Sequence, residues 1–90
     1  MVIIVQSCKG RDIGRYYVVI EEDDHFYYLA DGEKRGINYT KKKRKKHTKY
    51  QDSLSFERAT WITNNSQRPI DVKNAEIRKT LKQWKQEKEK

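Results

Sequence analysis

The stretch Val2-Ile3-Ile4-Val5-Gln6-Ser7-Cys8-Lys9-Gly10-Arg11-Asp12-Ile13-Gly14-Arg15-Tyr16-Tyr17-Val18-Val19 decides the fold. Two apolar, β-favouring runs flank a short polar connection. Glycines at 10 and 14 are what a chain uses to take positive φ, or to pass close to another backbone or a ligand. The connection carries Lys9, Arg11 and Arg15 but a single acid, Asp12. The pattern is a strand, a tight basic turn and a second strand. The four consecutive aliphatics Val2 to Val5 do not alternate, which predicts a strand covered on both faces or central in its sheet.

Outward from this stretch, residues 2–7 read as the first strand and residues 15–21 as the second. Glu21-Glu22-Asp23-Asp24-His25 is a polar connection, and residues 26–30 form a third strand. Asp31-Gly32 supplies a hairpin turn signal, and a shorter fourth strand is expected at residues 34–38. Four strands joined by short turns predict an antiparallel meander curling into a small open barrel. Tyr16, Tyr17, Phe26, Tyr27 and Tyr28 alternate between faces. One set fills the core; the other forms a stacking or peptide-binding platform or packs under the C-terminal segment, and packing is the expected outcome.

Ninety residues make one small domain, which by size scaling buries about 60–65% of its unfolded surface. That leaves no room for an enclosed catalytic chamber. Hydrophobic residues are 34% and charged residues 38% of the chain, with a mean hydropathy of −1.17. No apolar run approaches the roughly 20 residues that span a bilayer, so no membrane partner is expected. No secretion signal is read at the start, and the lone Cys8 suits a reducing cytoplasm.

The net charge of +8 is unevenly placed. Residues 1–33 carry three basic and seven acidic side chains, residues 34–51 nine basic and none acidic, and residues 52–90 nine basic and six acidic. Clustering of this kind is the electrostatic footprint of a polyanion binder.

Ser7-x-x-Gly10-Arg11-Asp12-x-Gly14-x-x-Tyr17-Val18-Val19, then Ala30-Asp31-Gly32-x-x-Arg35, then a lysine run ending in Lys46-His47 occur in that order. Together they resemble the KOW motif of small SH3-like barrels. The nearest branch is the archaeal and eukaryotic large-subunit ribosomal protein of the fourteen-e family, with its short bacterial relatives. The likeness covers about residues 2–49 and, weakly, Asn74-Ala75-Glu76-Ile77-Arg78-Lys79. The family's pattern would place a proline at the opening of the lysine run, where Thr40 stands. The resemblance implies a mainly β fold, an SH3-like antiparallel barrel with α additions. It also implies that the RNA bound is ribosomal and that ribosomal proteins are further partners.

The basic run Lys41-Lys42-Lys43-Arg44-Lys45-Lys46-His47-Thr48-Lys49-Tyr50 is the first expected contact with RNA. Six adjacent cations repel one another, so the run is expected to be an extended, mobile arm over residues 40–50, or to fold back on the acidic turn. Opposite a phosphate backbone that repulsion becomes attraction, with counterions released. Six such contacts on a single strand give a slope of log K against log salt of about −4. His47 and Tyr50 could stack on unpaired bases or be ordinary surface. Lys9, Gly10, Arg11, Gly14 and Arg15 of the glycine turn are the second expected contact, since Arg donates two bonds to a phosphate at once. The plain alternative has the glycines merely shaping the turn and Asp12 pairing Arg11 or Arg15. Arg35 is the third.

Residues 51–90 form a C-terminal extension to the barrel of residues 1–50. Leu54, Phe56, Trp61 and Ile62 show no clean period; a short helix at 53–60 or an extended stretch both fit. Residues 64–69 read as a loop. Asn74 is the N-cap expected for a helix over residues 75–87, whose Ile77, Leu81 and Trp84 form one stripe that docks on the barrel. Lys79, Lys82, Lys85 and Lys88 lie round its circumference, as solvated charges or an extension of the positive surface, and residues 86–90 are expected to fray.

Cys8, His25 and His47 match no familiar zinc spacing, and no Walker loop, Rossmann fingerprint or nucleophile elbow is present. No enzyme activity, metal or cofactor is expected. The expected function is binding of structured RNA as a monomeric ribosome-associated or ribosome-assembly component. Two other classes share the pattern: a peptide-binding SH3-like module, and a DNA-binding or transcription-associated KOW module.

Overall fold

A computed structural model describes residues 1–59, 61 and 69–89. Five antiparallel strands form one sheet: β1 (Val2–Ser7), β2 (Tyr16–Glu22), β3 (Phe26–Ala30), β4 (Lys41–Arg44) and β5 (Thr48–Leu54). A long helix, α1 (Ile70–Lys88), follows. The strand order β4-β3-β2-β1-β5 puts β1 between β2 and β5, the central position its unbroken aliphatic run predicts. The fold is mainly β, a five-stranded open sheet curled toward a small barrel, with a C-terminal helix added.

One connection forces the sheet to curl. β4 and β5 occupy opposite edges of the sheet, yet only the 3-10 turn Lys45–His47 joins them. The four Cα steps from Arg44 to Thr48 reach at most about 14 Å, whereas five flat strands at the usual spacing would put those edges about 19 Å apart. The sheet must therefore curl, bringing its two edges closer at that end than a flat sheet would. Register shifts between Ile4 and Val5, opposite β5, and between Val19 and Glu21, opposite β3, supply the local bends.

Both faces of the sheet are covered. Val2, Ile4, Val18, Ala30 and Leu54 pack with Ala59, Trp61 and the helical stripe Ile77, Leu81 and Trp84. Val5, Tyr17 and Leu29 form a smaller cluster, edged by Ile3, Val19 and Tyr27. Each fully buried aliphatic contributes roughly 1.5–3 kcal/mol through removal from water. Tyr16 leaves β2 on the helix side and meets Trp84 edge to face, with ring centroids 5.1 Å apart, and the Trp84 indole N–H donates to Asp52 Oδ2 at 2.8 Å. Tyr16 and Tyr17 are thus divided between the two packings by strand alternation.

Several expected boundaries move. β2 spans Tyr16–Glu22 rather than 15–21. Residues 34–38 are not a strand: residues 31–40 form a loop, with an isolated bridge between Gly36 and Tyr39, because Asp31 Oδ1 accepts the backbone N–H groups of Glu33 and Arg35 and winds the chain into a turn. The fourth strand is instead the opening of the lysine run, so residues 40–50 are not a free arm. Every residue of β4 pairs with β3, from Leu29↔Lys41 to Phe26↔Arg44. β5 crosses residue 50, where the barrel was expected to end, and pairs with β1 up to Val2↔Leu54. Residues 53–59 do not form the short helix; β5 runs to Leu54, and Arg58 and Ala59 N–H groups close one turn on Ser55, while residue 60 of that expected helix lies outside the described residues. Ile62 and residues 64–68 of the expected loop lie outside the described residues.

The helix begins five residues earlier than expected, directly after Pro69, whose fixed φ suits a helix start. Asn74 is therefore inside the helix rather than its N-cap. Its side-chain oxygen accepts the Ile37 N–H at 2.8 Å, and Arg78 Nη1 donates to the Gly32 carbonyl at 3.1 Å. The helix is seated on the 31–40 loop by these two bonds. Gly32 has φ +81°, and a Cβ there would collide with the backbone of Asn74 and Arg78. The helix continues to Lys88, and the Glu89 N–H still bonds Lys85 O, so most of 86–90 is ordered; Lys90 lies outside the described residues.

Candidate nucleic-acid interface

The glycine turn is organised around its one acid. Asp12 is 8% exposed. Ser7 Oγ donates to its Oδ1 at 2.8 Å and the Tyr17 hydroxyl to its Oδ2 at 2.8 Å. From the far edge of the sheet, Lys43 Nζ reaches Oδ1 at 3.0 Å and Lys41 Nζ reaches Oδ2 at 3.2 Å. Lys43 also donates to Lys9 O at 2.7 Å. Positive φ at Gly10 and Gly14 lets the turn fold over this cluster. Gly14 N–H bonds Ser7 O, and Cys8 N–H bonds His47 O. The turn is thereby tied to β1, to β4 and to the 3-10 turn.

The electrostatics follow from this geometry. Burial pushes the Asp12 carboxyl up, but hydrogen bonds from Lys43, Ser7, Tyr17 and Lys41 outweigh it and hold the group well below the usual carboxylate range. Burial, then the hydrogen bond to that carboxylate, pushes the Tyr17 phenol up to about 12. Asp12 thus stays ionised and anchors two lysines.

Alternation along β4 divides the basic run. Lys41 and Lys43 turn toward Asp12; Lys43 is only 9% exposed and its ammonium faces the carboxylate rather than solvent. Lys42 and Arg44 turn the other way and lie over the Phe26 ring, at 4.4 and 5.4 Å from its centroid. Lys45 lies 3.5 Å from Glu22 and covers Tyr27, and its N–H bonds the His25 carbonyl at 2.9 Å, so this part of the run folds back on the acidic turn. Lys46 and Lys49 are exposed. Asp12 pairs with neither Arg11 nor Arg15; Arg15 lies 3.5 Å from Asp31.

Of the other cations, Arg15, Arg78, Lys79, Lys82 and Lys85 line a hollow between the glycine turn and α1, and two further groups border the turn. The first is the corner where the 3-10 turn meets Cys8. There, partial burial and then the charges of Lys9, Lys46, Lys43 and Arg44 hold the His47 imidazole below its usual value, so it is neutral at pH 7. The second is a surface hollow of about 360 Å³ with Asp12 and Tyr17 in its wall, bordered by Arg11, Arg15, Lys34, Arg35 and Lys41. Sequence reasoning passed over Lys34 and Tyr39 in this hollow. Tyr39 is 61% exposed and carries Arg35 on its ring, 4.8 Å from the centroid. An aromatic followed by a basic run was the available signal.

Neither a protein-family model nor a curated protein matches the chain. Its chemistry has to be read from the side chains themselves. Among the described residues, no group of three or more His, Cys, Asp or Glu is placed to hold a metal ion, and no helix is long and apolar enough to cross a membrane. The acids Glu21, Glu22, Asp23 and Asp24 stand exposed on the β2–β3 turn, where Asp23 accepts the N–H groups of His25 and Phe26 and the Tyr28 hydroxyl. What the arrangement offers is a rigid, convergent display of donors for oxyanions.

Proposed function

We propose that this protein binds RNA, through phosphate contacts made by the cations on either side of the glycine turn. One observation carries the reading. Lys9, Arg11, Lys34, Arg35 and Lys46, distant in sequence, lie about the glycine turn, and among the described cations Asp12 pairs only with Lys41 and Lys43. A fold built only to neutralise its own charge would not leave so many donors beside one another. Contacts of this kind orient a polynucleotide without reading its sequence. Specificity then comes from RNA shape, matched by a scaffold whose two cation groups are fixed relative to one another.

The KOW resemblance extends the proposal to ribosomal RNA and to a non-enzymatic, cytoplasmic role on or beside the ribosome. Binding of a labelled ribosomal RNA fragment, followed by fluorescence anisotropy across a salt series, tests it. Six phosphate contacts on unpaired strand predict a slope of log K against log salt of about −4. Affinity that barely responds to salt, or equal affinity for duplex DNA, would defeat the proposal.

A further inference from the structure

The hollow beside the glycine turn combines two features that a phosphate clamp alone does not need. It has a positive rim, and it has an exposed aromatic whose ring is already backed by a guanidinium. We infer that this hollow holds one unpaired nucleotide of the bound RNA, its base stacked on Tyr39 and its phosphate met by Arg11 and Lys34. This rests on the RNA-binding reading above and narrows it to single-stranded or looped segments.

Three observations support the assignment. At about 360 Å³ the hollow lies in the range of small-ligand pockets. Arg35 covers one side of the Tyr39 ring while 61% of the residue stays exposed, leaving the other side to accept a base. Stacking on a planar aromatic is sequence-tolerant, because every base has a π face, and an arginine behind the ring adds to it. Arg11 and Lys34 form no ion pair with a described residue and are exposed, so their donors are free for a phosphate.

Tyr39 is also held in place before any ligand arrives. Its N–H bonds the Gly36 carbonyl at 3.0 Å, closing the turn that carries it. Gly36 is buried, and a Cβ at that position would meet the Asn74 side-chain amide. Asn74 in turn holds the Ile37 N–H. The helix therefore sets the position of the stacking residue, which lowers the ordering cost on binding. A duplex, whose bases are already paired and stacked, has nothing to offer the ring.

The test uses the full chain with two RNA probes of equal length, one single-stranded and one a blunt duplex, in anisotropy titrations at fixed salt. Tyr39→Leu should weaken binding of the single strand about tenfold and leave the duplex affinity and the salt slope unchanged. Tyr39→Phe, which keeps the ring, should restore the single-strand affinity. Circular dichroism of both variants should match the parent, since Tyr39 is a surface residue. If Tyr39→Leu weakens both probes equally or neither, the pocket assignment falls while RNA binding stands. If the parent chain binds neither probe in dilute buffer, the RNA reading falls and the pocket with it.

Discussion

Lys43 and Arg44 are neighbours in one basic run, and the fold uses them in opposite ways. Lys43 is turned inward, its ammonium shared between Asp12 and the Lys9 carbonyl. Arg44 is exposed and points away over Phe26. The period-2 geometry of a strand separates them. A count of charges along the sequence treats them as equal, so it overstates the run as a binding surface and misses its part in holding the barrel edge. Within one lysine-rich stretch, some positive charge is structural and some is available to a ligand.

That contrast can be broken from the structural side first. Asp12→Asn leaves Lys43 buried without its counter-charge and should cost about 3 kcal/mol of stability in urea unfolding. The same variant changes the acid response. An unfolded Asp titrates near 3.9, and the folded protein holds Asp12 lower, so the unfolded chain takes up the proton first. Stability should fall as pH drops below about 4 in the parent, and the fall should be shallower in Asp12→Asn. Gly32→Ala combines a strained φ with a collision against α1 and should cost about 2 kcal/mol in thermal unfolding. A loss near zero would mean the helix does not sit on that loop. Tyr17→Phe, which removes one donor to the Asp12 carboxylate, should cost about 1.5 kcal/mol.

From the ligand side the expected changes are in binding and leave stability alone. The double variant Arg44→Gln/Lys46→Gln should keep the parent unfolding midpoint and reduce the salt slope for single-stranded RNA by about 1.4. Lys79→Gln/Lys82→Gln, on the helix, should have the smallest effect, with affinity and slope both close to the parent. Equal losses from the two pairs would erase the distinction between the glycine-turn face and the helix surface.

The sequence was most legible where one physical pressure acted alone. The run Val2 to Val5 has no role but burial, and the stripe Ile77, Leu81 and Trp84 none but packing, so pattern identified both. β4 was hidden because four consecutive cations show no apolar alternation. Only the buried Asp12 on another strand connection, with Ser7 and Tyr17 around it, makes a basic strand favourable, and that partner lies about thirty residues away. Asn74 looked like a helix cap because its side chain does accept a backbone N–H; the N–H belongs to Ile37 rather than to the helix. The true start was signalled by Pro69. At the interface, the glycine-turn cations and Arg35 were visible as residue types, while Tyr39 and Lys34 join them only through the turn that the helix holds.

The pairing of β1 with β5 has a bearing on how the chain is made. Val2 finds its partner at Leu54, so the most apolar strand keeps one edge unsatisfied until the chain has been synthesised through residue 54. Contacts of such long sequence separation form late and slowly. The β2–β3 hairpin, closed across a short turn, is the natural first structure, and β1 can lean on it while waiting. During that interval the Val2-Ile3-Ile4-Val5 edge is the part of the nascent chain most prone to pair with a neighbour, and completion of β5 is the event that ends the hazard.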